Sequence, residues 1–143
     1  MAKISTMTSA PIEIELGGVK YKLSPLNHRA LGELERWMQE RLVDVAKRAA
    51  ADMSPADRQA VLSDAVNRAA TIDLTSPEAG RLMATMEGAC RMLWLGMRPN
   101  HPDVTLERVH DLLADPATLD AAMAALDSVN DLVGTEGNAQ PGK

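Results

Sequence analysis

The residues able to perform chemistry are few and scattered. The chain contains three histidines, His28, His101 and His110, and one cysteine, Cys90. A helical zinc site needs two imidazoles four residues apart on one face, and no two of these histidines have that spacing. Cys90 falls on the apolar stripe of a predicted helix, where burial raises the pKa of a thiol and keeps it unreactive. We therefore predict neither a metal site nor a catalytic thiolate, and we interpret the histidines as solvated or capping residues.

The other polar residues fit structural roles. Gly17-Gly18 is accounted for by a hairpin turn, and no glycine-rich loop followed by lysine is present to hold a phosphate. Most serines and threonines stand where helices are predicted to begin. No two carboxylates share an apolar background that would separate their pKa values for acid–base catalysis. The sequence predicts a protein that is not an enzyme, without catalytic, cofactor-binding or metal-binding residues.

Composition favours a helical protein. The chain has 143 residues, is 45% hydrophobic and only 2% aromatic, and contains nine methionines and no phenylalanine. Alanine and unbranched side chains lose little freedom in a helix, so this mixture favours helix over strand. The composition strongly disfavours an all-β sandwich and an aromatic sugar-binding cleft, and the length is typical of one domain.

Charge and hydropathy limit the classes of partner that the chain is expected to bind. Residues 1–99 carry 13 Lys/Arg and 12 Asp/Glu, whereas residues 100–143 carry 2 and 8. An acidic C-terminal third disfavours a nucleic-acid partner. No stretch approaches the ~18 apolar residues that span a bilayer, and Met1–Ala10 lacks the apolar region of a signal peptide. We predict a protein of a reducing cytoplasm that binds neither nucleic acid nor membrane.

Two short alternating segments predict an N-terminal β-hairpin. Apolar residues alternate with Glu in 12–16 and with Lys in 19–23, and the two-residue Gly17-Gly18 loop lies between them. Pairing outward from this turn places all the apolar side chains on one face and the opposite charges, Glu15 with Lys20 among them, on the other. This apolar face must pack on helices or on another chain.

Helical patterns with clear start signals fill most of the remaining chain. Ser and Pro at 54–55 and at 76–77 begin two helices, and in the first of these Val66 is expected inward with Val61, Leu62, Ala65 and Ala69. The predicted helices cover about 27–52, 55–70, 77–97, 105–114 and 116–134, the last ending at Gly134. The fold is therefore mainly α, with a β-hairpin (12–23) followed by a small bundle of about five helices (27–134). These form a single domain, 12–134, between a flexible arm, 1–11, and a flexible tail, 135–143.

One helix end is apolar on every side. Met92, Trp94 and Leu95 lie around the predicted stripe that includes Met97, so this end is either enclosed or docks a partner. Trp37 stands at the border of the first long helix, and Trp is enriched at binding hot spots. The predicted protein-binding residues are Trp37, Met92, Trp94, Leu95 and Met97, with burial in the core as the alternative.

In the order of its elements the chain resembles the tail assembly chaperones of long-tailed bacteriophages and prophages. The resemblance rests on the Ile12–Leu23 hairpin leading into a long helix, on Leu93-Trp94-Leu95 at a helix end, and on His101-Pro102-Asp103-Val104-Thr105 before an amphipathic segment. It implies a non-enzymatic chaperone of the host cytoplasm, absent from the mature virion. Such a protein binds and solubilises the tape-measure protein and helps to recruit tail tube subunits, with self-association as a further option.

Two other classes remain open from the sequence. One is a structural tail or head–tail adaptor protein, in which the hairpin adds a strand to the sheet of a neighbour. The other is a small helix-turn-helix regulator built from 105–133. The second helix of that motif would carry neither Lys nor Arg, which disfavours contact with a phosphate backbone.

Overall fold

The computed structural model describes the backbone of residues 10–138 and the side chains of residues 10–130. Most of the predicted arm and part of the predicted tail lie outside these residues. The described chain is mainly helical, as expected, with one two-stranded antiparallel sheet. Its elements are β1 (Ile12–Leu16), β2 (Val19–Leu23), α1 (His28–Ala49), α2 (Pro55–Thr71), α3 (Pro77–Met83), α4 (Met86–Met97), α5 (Leu106–Leu113) and α6 (Pro116–Asn138).

The residues assigned to one domain from the sequence divide into two compact units. The first, here called the hairpin unit, comprises Met1–Ala30 and Met86–Lys143. The second, the inserted unit, is Leu31–Thr85. Each unit therefore has its own set of packed elements: the sheet with α4, α5 and α6 in one, and most of α1 with α2 and α3 in the other.

The hairpin forms with the predicted register. Leu16 pairs with Val19, and the pairing continues outward to Ile12 with Leu23. Gly17 and Gly18 have φ of 58° and 81°, the left-handed conformation that a two-residue turn of this kind requires and that glycine adopts without strain. On the apolar face Leu16, Tyr21 and Leu23 are buried, Ile12 and Ile14 are partly buried, and Val19 beside the turn remains 45% exposed.

The apolar face of the hairpin packs on the three C-terminal helices. At the closest approach, the Ser24 amide donates to the Gly96 carbonyl at 2.9 Å, so the end of β2 lies directly on α4. A Cβ on Gly96 would lie 2.6 Å from Leu23 Cδ1, which explains a glycine inside this helix. The core is mostly aliphatic and comprises Leu16, Tyr21, Leu23, Ala89, Cys90, Leu93, Met97, Val109, Leu112, Leu113, Ala122, Ala125, Leu126 and Val129.

Alanines make up more than half of the buried residues of the inserted unit, and side-chain hydrogen bonds satisfy main-chain groups at its helix ends. Ser54 Oγ accepts from the Asp57 amide at 3.2 Å and caps α2, as its sequence predicts. The Arg58 guanidinium donates to the carbonyls of Ala50, Ala51 and Met53, which satisfies acceptors just beyond the end of α1. The buried residues of the inserted unit are Leu34, Trp37, Met38, Ala46, Ala50, Ala65, Ala69, Ile72 and Ala79.

Two helix boundaries differ from the sequence prediction. The helix expected over 77–97 is broken into α3 and α4 at Ala84-Thr85, where the Thr85 hydroxyl donates to the Leu82 carbonyl at 2.6 Å. A threonine hydroxyl competes with the helical hydrogen bonds in this way, and the competition is a local effect that helical spacing does not report. The last helix continues through Gly134 to Asn138, because an interior glycine costs only about 1 kcal/mol.

Candidate functional site

Trp94 connects α4 to the loop that follows it. Its indole Nε1 donates to the Val104 carbonyl at 3.1 Å, and the Arg98 guanidinium lies 4.8 Å from the ring centroid. The side chain is half-buried against the hairpin-unit core. Both its polar atom and one ring face are therefore used within the hairpin unit, where they hold the loop of residues 98–105 on α4.

The other residues predicted to bind a partner are mostly buried. Met97 is fully buried in the core, Leu95 is 4% exposed and Trp37, in the inserted unit, is 8% exposed. Met92 is half-buried and packs against the core of the hairpin unit. Four of the predicted residues, Met92, Trp94, Leu95 and Met97, thus lie on α4, and Trp37 lies in the other unit. Of the five predicted residues, only Met92 and Trp94 retain appreciable exposed area.

A Cys–His–Glu arrangement, which sequence reasoning did not identify, joins α4 to α5. Cys90 Sγ lies 3.4 Å from His110 Nδ1, and His110 Nε2 lies 3.4 Å from Glu87 Oε1. Glu87 also pairs with Arg91 at 3.3 Å. This is the order of groups found in cysteine hydrolases: nucleophile, base and orienting acid. The sequence gives no signal for it, because the partners come from two helices that meet only in the folded chain.

The environment of Cys90 opposes nucleophilic chemistry. The residue has no exposed surface, so a substrate has no direct access to the sulfur. Burial, followed by the charge of Glu87, raises the pKa of the thiol above its ordinary value. Cys90 is thus protonated and enclosed, as the sequence predicted. The arrangement acts as a polar link between two helices rather than as an activated thiolate.

His101 also has specific partners. Its Nε2 accepts the Lys22 amide proton at 2.8 Å, and its ring meets Tyr21 edge-on with the centroids 5.2 Å apart. This imidazole therefore holds the loop of residues 98–105 against the outer side of β2. The interpretation of the histidines as solvated or capping residues did not include the partners of His101 and His110, which lie on distant parts of the chain.

An open apolar surface lies on α2, in the inserted unit. Val66 is 53% exposed, and Leu62, one helical turn earlier, is partly buried beside it. The sequence placed Val66 inward, but the buried face is defined by Ala65 and Ala69, and the residue after Ala65 is rotated about 100° away from it. We call this surface the α2 groove; its volume is about 460 Å³ and it is lined by Pro55, Arg58, Gln59, Leu62, Ser63, Val66 and Asn67.

Neither a metal site nor a membrane-spanning helix is found in the described part of the chain. Among residues 10–130, no three His, Cys, Asp or Glu side chains converge as metal ligands would. The described helices are all too short or too polar to cross a bilayer.

Comparison with known proteins leaves the chain unassigned. No family model, no curated protein and no solved structure matches it. A functional assignment therefore depends on the surfaces and contacts described above, together with the order of the elements along the chain.

Proposed function

We propose that this chain is a non-enzymatic tail assembly chaperone of a long-tailed phage or prophage. It binds and solubilises the tape-measure protein and helps to recruit tail tube subunits. It acts in the cytoplasm of the bacterial host and is absent from the mature virion. The observation that carries the proposal is the α2 groove, an apolar surface open to solvent; the order of the elements along the chain supports it.

The α2 groove fits a helical client. Pro55, Leu62 and Val66 lie along one side of α2 at roughly helical spacing, so apolar residues repeated on one face of a client helix could pack along them. The polar side chains of Gln59, Ser63 and Asn67 border this row and could hydrogen-bond to the client. Long apolar helices are the feature of a tape-measure protein that needs shielding in water.

The size of the surface favours reversible binding. Two aliphatic side chains line the α2 groove: Val66 is exposed, and the partly buried Leu62 contributes a smaller area. Small interfaces with polar borders are typical of transient complexes. A chaperone has to release its client when the tail assembles, so weak contacts repeated along a long client suit this role better than one tight contact.

The Cys–His–Glu arrangement does not favour an enzymatic alternative. Cys90 is enclosed and its thiol pKa is raised, so the pair with His110 lacks both access and an activated nucleophile. The polar contacts of Trp94 and His101 are with main-chain atoms of the hairpin unit. These contacts support structural roles for Cys90, His110, Trp94 and His101, the residues best able to perform chemistry.

Co-expression tests the proposal. We expect a long helical protein, the tape-measure client, to be encoded directly downstream. The chain is produced together with that protein, and the soluble fraction of that protein is measured. Val66→Glu places a charge in the α2 groove, whereas Ala60→Glu places the same charge on an exposed position outside it. We expect the wild type and Ala60→Glu to keep the client soluble and Val66→Glu to lose most of that effect, since an unpaired charge opposes apolar burial.

Equal activity of the two variants would refute the role of the α2 groove. Failure of the wild type to solubilise the downstream protein would refute the chaperone proposal itself. Mass spectrometry of purified phage particles distinguishes the chaperone from a structural adaptor protein. An adaptor is present in the particles, whereas a chaperone is absent from them.

A further inference from the structure

The two outer edges of the hairpin differ. In an antiparallel pair, alternate residue pairs direct their amide and carbonyl groups away from the partner strand. The amide of Lys22 in β2 donates to His101, and the amide of Ser24, the residue after β2, donates to the Gly96 carbonyl. Both amides therefore point away from β1. Loop 98–105 and the end of α4 therefore occupy the outer edge of β2.

The strand pairing also determines which main-chain groups of β1 point away from β2. Glu13 pairs with Lys22 and Glu15 with Lys20, so the main-chain groups of both glutamates point away from β2. Both residues are exposed, and among residues 10–130 no hydrogen-bond partner lies on their outward amides or carbonyls. Within residues 10–130, the outer edge of β1 therefore presents two donors and two acceptors that have no partner.

Pro11 limits this edge on one side. It precedes β1 and has no amide proton, so the row of outward donors is confined to Glu13 and Glu15 before the turn at Gly17. An edge this short binds another strand weakly unless the side chains of that strand are complementary.

The side chains of the edge select the chemistry of a partner. Glu13 and Glu15 project from the polar face, while Ile12 and Ile14 are partly exposed on the other face. A strand laid beside β1 would place alternate residues next to these glutamates and the remaining residues beside the two isoleucines. Within the hairpin, β2 already meets these requirements with Lys20 and Lys22 on one face and apolar residues on the other.

A second copy of the chain fits this edge poorly. Two β1 strands paired edge to edge would bring the glutamates of one copy opposite those of the other, and like charges directly opposite are destabilising. An acidic segment is opposed by the same repulsion. Charge complementarity therefore favours a strand in which Lys or Arg alternates with apolar residues.

We propose that the outer edge of β1 binds an extended segment of another protein in which basic and apolar residues alternate, by addition of that segment as a third strand. Main-chain hydrogen bonds to Glu13 and Glu15 supply the pairing. The two carboxylates select the basic side chains, and Ile12 and Ile14 border the apolar ones. This site lies in the hairpin unit, whereas the α2 groove lies in the inserted unit, so the proposal does not rest on the chaperone function.

The test uses fluorescein-labelled peptides and the full chain at low salt. One peptide alternates Lys with Val, a second alternates Glu with Val, and a third is the Lys peptide N-methylated at alternate residues so that one edge cannot donate. Binding is followed by fluorescence anisotropy. We expect the Lys peptide to bind about tenfold or more tightly than the Glu peptide and the N-methylated peptide to lose binding.

A variant and an exchange measurement locate the site. Glu13→Gln with Glu15→Gln leaves the main-chain edge intact, and we expect it to reduce the difference between the Lys and Glu peptides to less than about threefold. Hydrogen exchange at the Glu13 and Glu15 amides slows in the Lys-peptide complex, whereas exchange at Lys22 is unchanged because His101 already accepts its proton.

Three outcomes would overturn the proposal. Equal binding of the N-methylated peptide would mean that no strand is added. Binding without slower exchange at Glu13 and Glu15 would place the peptide elsewhere. Protection of these amides in the free protein would mean that the edge already has another occupant, and sedimentation would then show whether that occupant is a second copy. Circular dichroism confirms that the double variant is folded.

Discussion

Replacement of Gly96 by alanine should destabilise the hairpin unit even though alanine is the better helix former. Gly96 is the penultimate residue of α4. Glycine within a helix costs up to about 0.8–1 kcal/mol relative to alanine. A Cβ at this position would lie 2.6 Å from Leu23 Cδ1 and 3.2 Å from the Ser24 carbonyl oxygen. Leu23 has no exposed surface, so its side chain cannot rotate into solvent to relieve the overlap.

The magnitude follows from these opposing effects. Overpacking of a buried position costs about 1–3 kcal/mol, and contact with both a fully buried side chain and a main-chain oxygen places this case in the upper part of that range. After subtraction of the helix-propensity gain, we expect Gly96→Ala to lower the free energy of unfolding by about 1–2 kcal/mol. Gly32→Ala is the matched control, because a Cβ on Gly32 of α1 meets no atom within 4 Å. This control should raise the free energy of unfolding by about 0.5–1 kcal/mol.

Urea denaturation followed by circular dichroism measures both changes, and amide hydrogen exchange assigns them to the two units. A double-mutant cycle with Leu23→Ala isolates the overlap, because the truncated side chain no longer reaches the new Cβ. The cost of Gly96→Ala should then fall by about 1 kcal/mol or more. If Gly96→Ala stabilises the chain as much as Gly32→Ala does, the reasoning from the close approach is refuted.

Three further predictions concern individual contacts. Trp94→Phe removes the donor to the Val104 carbonyl and should lower the free energy of unfolding by about 0.5–1.5 kcal/mol in urea titrations, whereas an unchanged value would mean that water replaces the bond without cost. Cys90 should react with a thiol reagent only in the unfolded chain, because burial raises the pKa of its thiol; rapid modification of the native protein would contradict this. Hydrogen bonds from the hydroxyl and then the amide of Thr75 lower the pKa of Asp73 below its ordinary value of 3.8. The ionised Asp73 carboxylate therefore stabilises the turn that it forms with Thr75; this stabilisation is complete above pH 3.8 and is lost as the pH falls through the lower pKa of the folded state. An NMR titration of the Asp73 carboxyl group in the wild type checks this. Asp73→Asn should remove the acid-dependent change in stability.

The hairpin was predictable because its determinants are adjacent in the sequence. The Gly17-Gly18 turn and the alternation on either side of it specify the register, and the structure has that register. The starts of α2 and α5 were predictable for the same reason, since Ser54 and Thr105 accept from amides three residues later in the chain. Local hydrogen bonds and a period of two are sufficient to specify these features.

The contacts that shape the candidate sites could not be predicted in this way. His110 contacts Cys90 across two helices, and His101 reaches an amide 79 residues away. Such pairs depend on how elements pack, and a single isolated histidine has no spacing from which its partner can be inferred. The exposure of Val66 was missed because a helical stripe of alanine and valine does not indicate which of its two edges is covered.

The division of the chain has a consequence for its biosynthesis. The hairpin leaves the ribosome before the helices that cover its apolar face, because those helices follow only after the inserted unit. At ordinary rates of translation, the interval between Leu23 and Met97 is on the order of ten seconds. During this interval the nascent hairpin exposes its aliphatic face, while the inserted unit already contains its own packing partners. Chaperones or crowding near the ribosome should therefore influence the yield of the hairpin unit more than that of the inserted unit.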